Sequence, residues 1–215
     1  MKTGKYLYAL KYRWLTPLYD PLGRLLGDIR LKQQLLQASN IRPDDRVLDV
    51  GCGTGTFLKL MKSAQQGGLA IGLDGDLGIL RIAKRKAETS HLKIEFDQAF
   101  ANRLPFADAS FDRVVSSLVF HHMSTEDKRG AFREIYRVLY PGGKMVIADI
   151  GPPLGTLTRF ASRIMQKLER VSDNMQGLLP VFAIEAGFVK TAILNQVNLP
   201  FGTIWIFSAE KTDLQ

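Results

Sequence analysis

Three groups of residues in this sequence combine side-chain types and spacings that can do chemistry. The first is RVLDVGCGTGTFLKL, Arg46 to Leu60, where Asp49 stands two positions before the first of three alternating glycines, Gly51, Gly53 and Gly55. A glycine turn lets a ligand come against bare backbone, and a helix starting there offers unpaired N–H groups. The spacing G-x-G-x-G departs from the dinucleotide fingerprint G-x-G-x-x-G, and a carboxylate beside it would repel a pyrophosphate and attract a cation. The second is Asp74, about 20 residues further on, where an acidic residue closing a strand is placed to accept from both hydroxyls of a ribose. The third is His121-His122, preceded by Ser116 and Ser117. Neutral imidazole accepts a proton near pH 7. Two adjacent histidines also invite a metal reading, yet no third ligand lies at helix or turn spacing and His91 is far off, so no metal is expected. The pocket implied is nucleotide-sized and suited to a positively charged ligand.

Hydrophobic periodicity supplies the elements that must hold these groups. Arg46–Val50 reads as a buried strand, with a helix from Thr56; Leu69–Leu73 reads as a strand ending at Asp74, with a helix over Leu77–Lys86. That helix has an apolar face of Leu77, Leu80 and Ala83, and its Arg81, Lys84, Arg85 and Lys86 read as a solvated face. Strands are expected at Leu92–Phe96 and at Phe111–Val119, which puts Ser116 at the carboxyl end where open α/β sheets bind ligands. Ser124, with Asp127 three residues later, resembles a capping box and opens a helix over Thr125–Tyr140. Pro141-Gly142-Gly143 stops that helix before a strand at Lys144–Ile150. A short helix over Leu178–Ala186 and two closing strands, Phe188–Val197 and Thr203–Ala209, complete the chain.

The run VLDVGCGTG, Val47 to Gly55, resembles the first motif of the class I S-adenosylmethionine-dependent methyltransferases almost letter for letter. The resemblance covers about residues 17 to 210 and is strongest from Arg46 to Asp149. It implies a doubly wound, Rossmann-like, seven-stranded and mostly parallel α/β sheet with an antiparallel last strand and helices on both faces. It also implies S-adenosylmethionine as cofactor, S-adenosylhomocysteine as product, and Asp49, Gly51, Cys52, Gly53, Gly55, Asp74 and Gly75 around them. The segment YDPLGRLLG, Tyr19 to Gly27, resembles the Tyr-Asp stretch of the ubiquinone/menaquinone-biosynthesis branch, which folds over the cofactor; Tyr19 either contacts the cofactor or packs a helix against the sheet. In that family an acidic residue four positions before Leu-Pro-Phe holds the adenine amino group. Here, counting back from Leu104-Pro105-Phe106, that position is Phe100. Phe100 cannot accept that bond but can stack on adenine, while Ala101 offers its backbone. Ser-x-x-x-x-His-His, Ser116 to His122, matches the family pattern and places a histidine on the substrate side, as a general base or as pocket lining.

Length and composition bound the rest. A chain of 215 residues, 46% hydrophobic, is long enough for one α/β core and excludes disorder. No apolar run of about 18 residues exists, and the start lacks the pattern of a signal peptide, so a cytoplasmic protein is expected. The single cysteine, Cys52, excludes an internal disulfide and reads as a small packing residue of the turn. The net charge is +8, and residues 1–32 carry seven Lys/Arg against Asp20 and Asp28. Clustered cations suit nucleic acid, an anionic membrane surface, an acidic substrate or plain solvation. Residues 1–45 read as a helical cap and lid over a 46–215 core. A helical insertion at about 152–180 adds LTRFASRIMQKLERV, residues 157–171, a basic amphipathic helix that rests on lipid, roofs the site or covers the sheet. The expected reaction is methyl transfer to a hydrophobic or amphiphilic small molecule, a quinone precursor or a phospholipid amine at the inner face of a membrane. Oligomeric state is not legible. A nucleic-acid methyltransferase or RNA-binding module is the contrasting class, disfavoured because no Asn/Asp-Pro-Pro-Tyr-like tetrad follows the fourth strand; a fold relic without cofactor is a third.

Overall fold

The computed structural model describes residues 28–64, 66–154, 170–199 and 202–213. Helix α1 (Asp28–Ser39) leads into β1 (Val47–Val50), α2 (Thr56–Ser63), β2 (Ala70–Asp74), α3 (Leu77–Thr89) and β3 (Glu95–Gln98). There follow β4 (Phe111–Ser117), a 3-10 turn (Phe120–His122), α4 (Thr125–Val138) and β5 (Leu139–Ile150). Short helices α5 (Ser172–Met175) and α6 (Leu179–Glu185) precede β6 (Val189–Leu199) and β7 (Gly202–Glu210). The strands form one seven-stranded sheet in the order β3-β2-β1-β4-β5-β7-β6, in which β7 runs antiparallel to both neighbours. The architecture is the doubly wound α/β sheet with a reversed last strand.

Winding runs outward from β1 to β3, then resumes on the other side of β1 with β4. The switch point between β1 and β4 opens a crevice at the carboxyl ends of the strands. Asp49 and Asp74 stand there, near the ends of β1 and β2. All four residues of β1 are buried, as expected of a parallel strand covered on both faces. One face packs on Leu31 and Leu35 of α1, Phe57 and Met61 of α2, and Leu80 and Ala83 of α3. The other packs on Phe132 and Ile135 of α4 and Phe182 of α6.

Capping chemistry explains two of the helix starts. The Asp76 side chain accepts from Gly78 N–H at 2.7 Å to open α3, and Ser124 Oγ accepts from Asp127 N–H at 3.1 Å to open α4. Three expectations need correction. Helix α4 ends at Val138 rather than Tyr140, because Leu139 pairs with Phe111 and already belongs to a strand that runs through Pro141-Gly142-Gly143. The buried side of α3 is Ile79, Leu80, Ala83 and Ala87, while Leu77 projects half exposed at the rim. Strand β3 begins at Glu95, three residues late, since only there does it pair with Ile71. Tyr19 and residues 155–169 of the expected cap helix lie outside the described residues.

Candidate cofactor and acceptor site

The glycine loop turns through three left-handed residues, Gly51 (φ +73°), Gly53 (φ +53°) and Gly55 (φ +72°). Gly51 is further constrained by packing, because a Cβ there would stand 2.3 Å from Val119 Cγ2. Gly53 instead faces open space. The loop's own N–H groups do not await an anion. Gly51 and Cys52 both donate to Leu73 O (2.7 and 2.9 Å), Gly53 to Asp74 Oδ2 (3.0 Å) and Gly55 to Cys52 O (2.9 Å). The unpaired amides anticipated from the sequence are thus turned inward at these four positions, and the loop presents bare backbone instead. Cys52 is 5% exposed, and burial pushes its thiol well above the usual range, so it packs rather than reacts.

Asp49 is 2% exposed on the α1 face of β1. Burial raises its carboxyl pKa to about 7; Lys32 of α1 pulls it back and Asp74 pushes it further. Lys32 is itself held by Asp28 at 2.5 Å. Asp74 is also raised by burial, against the N–H groups of Asp76 (2.9 Å), Gly53 and Gly75 that hold its charge. Two buried acids therefore flank a turn in which alternate residues, Gly51, Gly53 and Gly55, carry no Cβ, and a cation placed between the acids would relieve both. That is a donor set fitted to a cationic nucleoside.

At the rim, Phe100 is half exposed and closes a small bridge with Arg103, and Ala101 lies against the α4-side core. Gly75 O accepts from Gln98 Nε2 at 3.0 Å. Ser116 is fully buried, and its hydroxyl donates to Val50 O at 2.7 Å, tying β4 to β1 below the glycine turn. Lys86, read from sequence as solvated, reaches back to Thr56 Oγ1 (2.9 Å) and Thr54 Oγ1 (3.1 Å) and pins the loop to α3. Its long stem makes that span possible, which helical periodicity does not register.

The histidines have a partner that the sequence did not disclose. His121, 7% exposed, places Nδ1 2.8 Å from Oδ1 of Asp149, at the end of β5. Asp149 Oδ2 accepts from the N–H groups of Val119 (2.9 Å) and Phe120 (2.7 Å), and Oδ1 also accepts from Ile150 N–H (2.8 Å) and Asn174 Nδ2 (3.1 Å). Burial opposes its charge, but His121 and these donors outweigh burial and hold the carboxyl below the usual range. The His122 ring lies 3.9 Å from that of His121. Among the described residues, no three acidic, His or Cys side chains cluster as metal ligands would.

A methyltransferase-domain family model matches residues 48–147, the span from β1 to β5 that carries these groups. A demethylmenaquinone methyltransferase of Thermus thermophilus is 36% identical over 142 residues, covering 65% of this chain and 64% of that protein. The chain thus spans slightly less than two thirds of that relative. One of Paenarthrobacter aurescens is 31% identical over 205 residues, covering 93% of this chain and 76% of the relative. Among solved structures, Haemonchus contortus phosphoethanolamine N-methyltransferase 2 with S-adenosyl-L-methionine superposes with a TM-score of 0.70 at 19% identity, over 85% of this chain and 52% of that one. It shares the fold. With the match extending over nearly the whole sequence, the chain belongs to the class I S-adenosylmethionine-dependent methyltransferases, in their ubiquinone/menaquinone-biosynthesis branch.

Proposed function

We propose that the chain transfers a methyl group from S-adenosylmethionine to a hydrophobic or amphiphilic small molecule, a quinone precursor or a phospholipid amine. The observation that carries this reading is the pair of buried acids, Asp49 and Asp74, on either side of a left-handed glycine turn. When bound, S-adenosylmethionine supplies the methyl carbon and, in its sulfonium, the leaving group. Asp49 faces the positive end, Asp74 the ribose hydroxyls, and Gly51, Cys52, Gly53, Gly55 and Gly75 let the nucleoside approach. Phe100 offers a face for adenine with Ala101 beside it, and the sequence resemblance makes Tyr19, outside the described residues, a further candidate contact.

Positioning does most of the work in such a transfer, since an aligned approach is worth roughly 7–11 kcal/mol. His121 is the candidate base. An Nδ1–H donated to Asp149 leaves the lone pair on Nε2, the tautomer that can take a proton from the acceptor. Asp149 is then a positioning residue, and His122 lines the acceptor side. The relatives' names support the acceptor class, because the Thermus thermophilus and Paenarthrobacter aurescens proteins are demethylmenaquinone methyltransferases. No described helix is long and apolar enough to cross a membrane. In this reading the acceptor is met at an anionic membrane surface from the cytoplasmic side, a step supported by the basic and aromatic composition of residues 1–32.

The deciding experiment is transfer of labelled methyl from S-adenosylmethionine to a prenylated 1,4-naphthalenediol and, separately, to phosphatidylethanolamine vesicles. Label in either product supports the reading and selects the acceptor. Label in neither, with S-adenosylhomocysteine bound, refutes this acceptor class. Flotation with anionic vesicles at physiological salt tests the membrane step, and an unbound protein refutes it.

A further inference from the structure

Asp149 Oδ1 has three partners: the His121 ring nitrogen at 2.8 Å, the Ile150 N–H at 2.8 Å and the Asn174 side-chain amide at 3.1 Å. Because a carboxylate only accepts, the Asn174 amide must turn its Nδ2 toward it. That leaves Asn174 Oδ1 buried with no hydrogen-bond partner among the described residues. The residue is 1% exposed, so the stranded oxygen carries its desolvation cost. The carboxylate meanwhile has three backbone donors of its own, from Val119, Phe120 and Ile150. Its charge is held without the amide.

Other contacts are needed to bring that amide to Asp149. Helix α5 is four residues long, too short to stand alone, and it is fastened to α4. Lys128 Nζ donates to Arg170 O at 2.9 Å and to Asp173 Oδ2 at 3.0 Å, and Thr125 Oγ1 donates to Asp173 Oδ2 at 2.8 Å. Among the described residues, the charged or titratable groups about the carboxylate are His121 and His122 of the turn, Lys128 of α4, and Arg170 and Asp173 at α5; β7 opposes it with the uncharged Trp205. Sharing Oδ1 has a defined electrostatic sign. A further donor on the carboxylate draws its charge away from the imidazole, so a protonated ring is held less strongly. The amide thus favours the neutral ring, the form that can take up a proton.

We propose that Asn174 is a positioning residue for the methyl transfer, one that shares an oxygen of Asp149 with His121 and thereby fixes the orientation of the imidazole and favours its neutral form. The inference rests on the reading of His121 as the base and deepens it. It adds a third member from α5, outside the turn and strand that carry the other two. It also accounts for an unpaired amide oxygen at a buried position. A leucine there would strand no polar atom of its own, but it would leave Oδ1 to the ring and the Ile150 N–H.

The test is an NMR titration of the histidine ring protons in the full chain. The sequence has three histidines, and His121→Gln and His122→Gln assign their signals. In Asn174→Leu the His121 midpoint should rise by about half a pH unit or more, with that of His91 unchanged. Asn174→Met, whose side chain adapts to the space, gives the same reading should the leucine variant fail to fold. The rising limb of single-turnover transfer to the prenylated 1,4-naphthalenediol should move to higher pH in step, at unchanged affinity for S-adenosylhomocysteine. A residue that merely packs α5 would lower thermal stability and leave the His121 titration where it was. An unmoved or lowered His121 midpoint in the folded variant therefore overturns the proposal while leaving the base reading intact. Transfer that survives His121→Gln refutes the base reading itself, and the positioning role with it.

Discussion

His121 Nδ1 and Asp149 Oδ1 meet at 2.8 Å although 28 residues separate them in the chain. The meeting is made by the sheet: β4 and β5 lie side by side, with Ser117 opposite Ala148, so the turn after β4 falls on the end of β5. The same carboxylate holds the N–H groups of Val119 and Phe120, which fixes the turn that carries the imidazole. The aspartate sets both the ring's tautomer and its place.

Removing the proposed base, His121, while keeping its volume should separate chemistry from binding. His121→Gln should lower kcat by about 10²–10⁴-fold, the usual contribution of a positioned base, with affinity for S-adenosylhomocysteine within twofold. Asp149→Asn should reduce kcat in the same direction and flatten the rise of rate with pH. Single-turnover methyl transfer over a pH series checks both.

Asp49 predicts an unusual pH dependence. Its carboxyl titrates near 7 in the folded chain and near 3.8 when unfolded. Between those values the folded state binds the extra proton, so the ligand-free protein should lose stability as pH rises from about 4 to about 7 and level off above. Asp149 acts in the opposite sense: its lowered pKa contributes stability above the usual carboxylate range, lost only as pH falls through that lowered value. Urea unfolding at several pH values, compared between the protein and Asp49→Asn, should show the neutral-side slope vanish in the variant.

The glycines of the turn should divide by function. Gly51→Ala meets Val119 as well as a left-handed φ, whereas Gly53→Ala meets only the φ, a cost of about 1–2 kcal/mol. Thermal melts should show Gly51→Ala as the less stable of the two. Gly53→Ala should nonetheless weaken S-adenosylhomocysteine binding severalfold, because its Cβ enters the open space proposed for the nucleoside.

Lys128 is fully buried and donates to Arg170 O at 2.9 Å and Asp173 Oδ2 at 3.0 Å, tying the start of α5 to α4. Burial lowers its pKa and Asp173 opposes that shift. Lys128→Met keeps the aliphatic stem but strands the carbonyl, at a cost of about 1–3 kcal/mol by urea unfolding.

What the sequence disclosed and what it hid follow from range. The glycine turn, Asp49 on its strand, Asp74 closing the next and the Ser124 cap are written within a few consecutive residues, so pattern and spacing reveal them. The contacts that complete the site are not local. Lys32 acts on Asp49 only because Leu31 and Leu35 seat α1 against the sheet. Lys86 on Thr54, Asn174 on Asp149 and Trp205 beside it depend on strand register and helix placement, neither of which a linear motif encodes. Strand β5 starts at Leu139 because Phe111 is its partner, a pairing that overrides the glycine-proline stop.

The proposed function depends above all on two buried carboxylates beside a glycine-rich turn gripping a cationic nucleoside. Its most direct measurement is calorimetric titration of S-adenosylmethionine into the full chain and into Asp49→Asn and Asp74→Asn, with circular dichroism confirming the fold. The account predicts micromolar binding to the unmodified protein and at least tenfold weaker binding to each variant. Equal affinity in all three, or no heat from a folded unmodified chain, would contradict it.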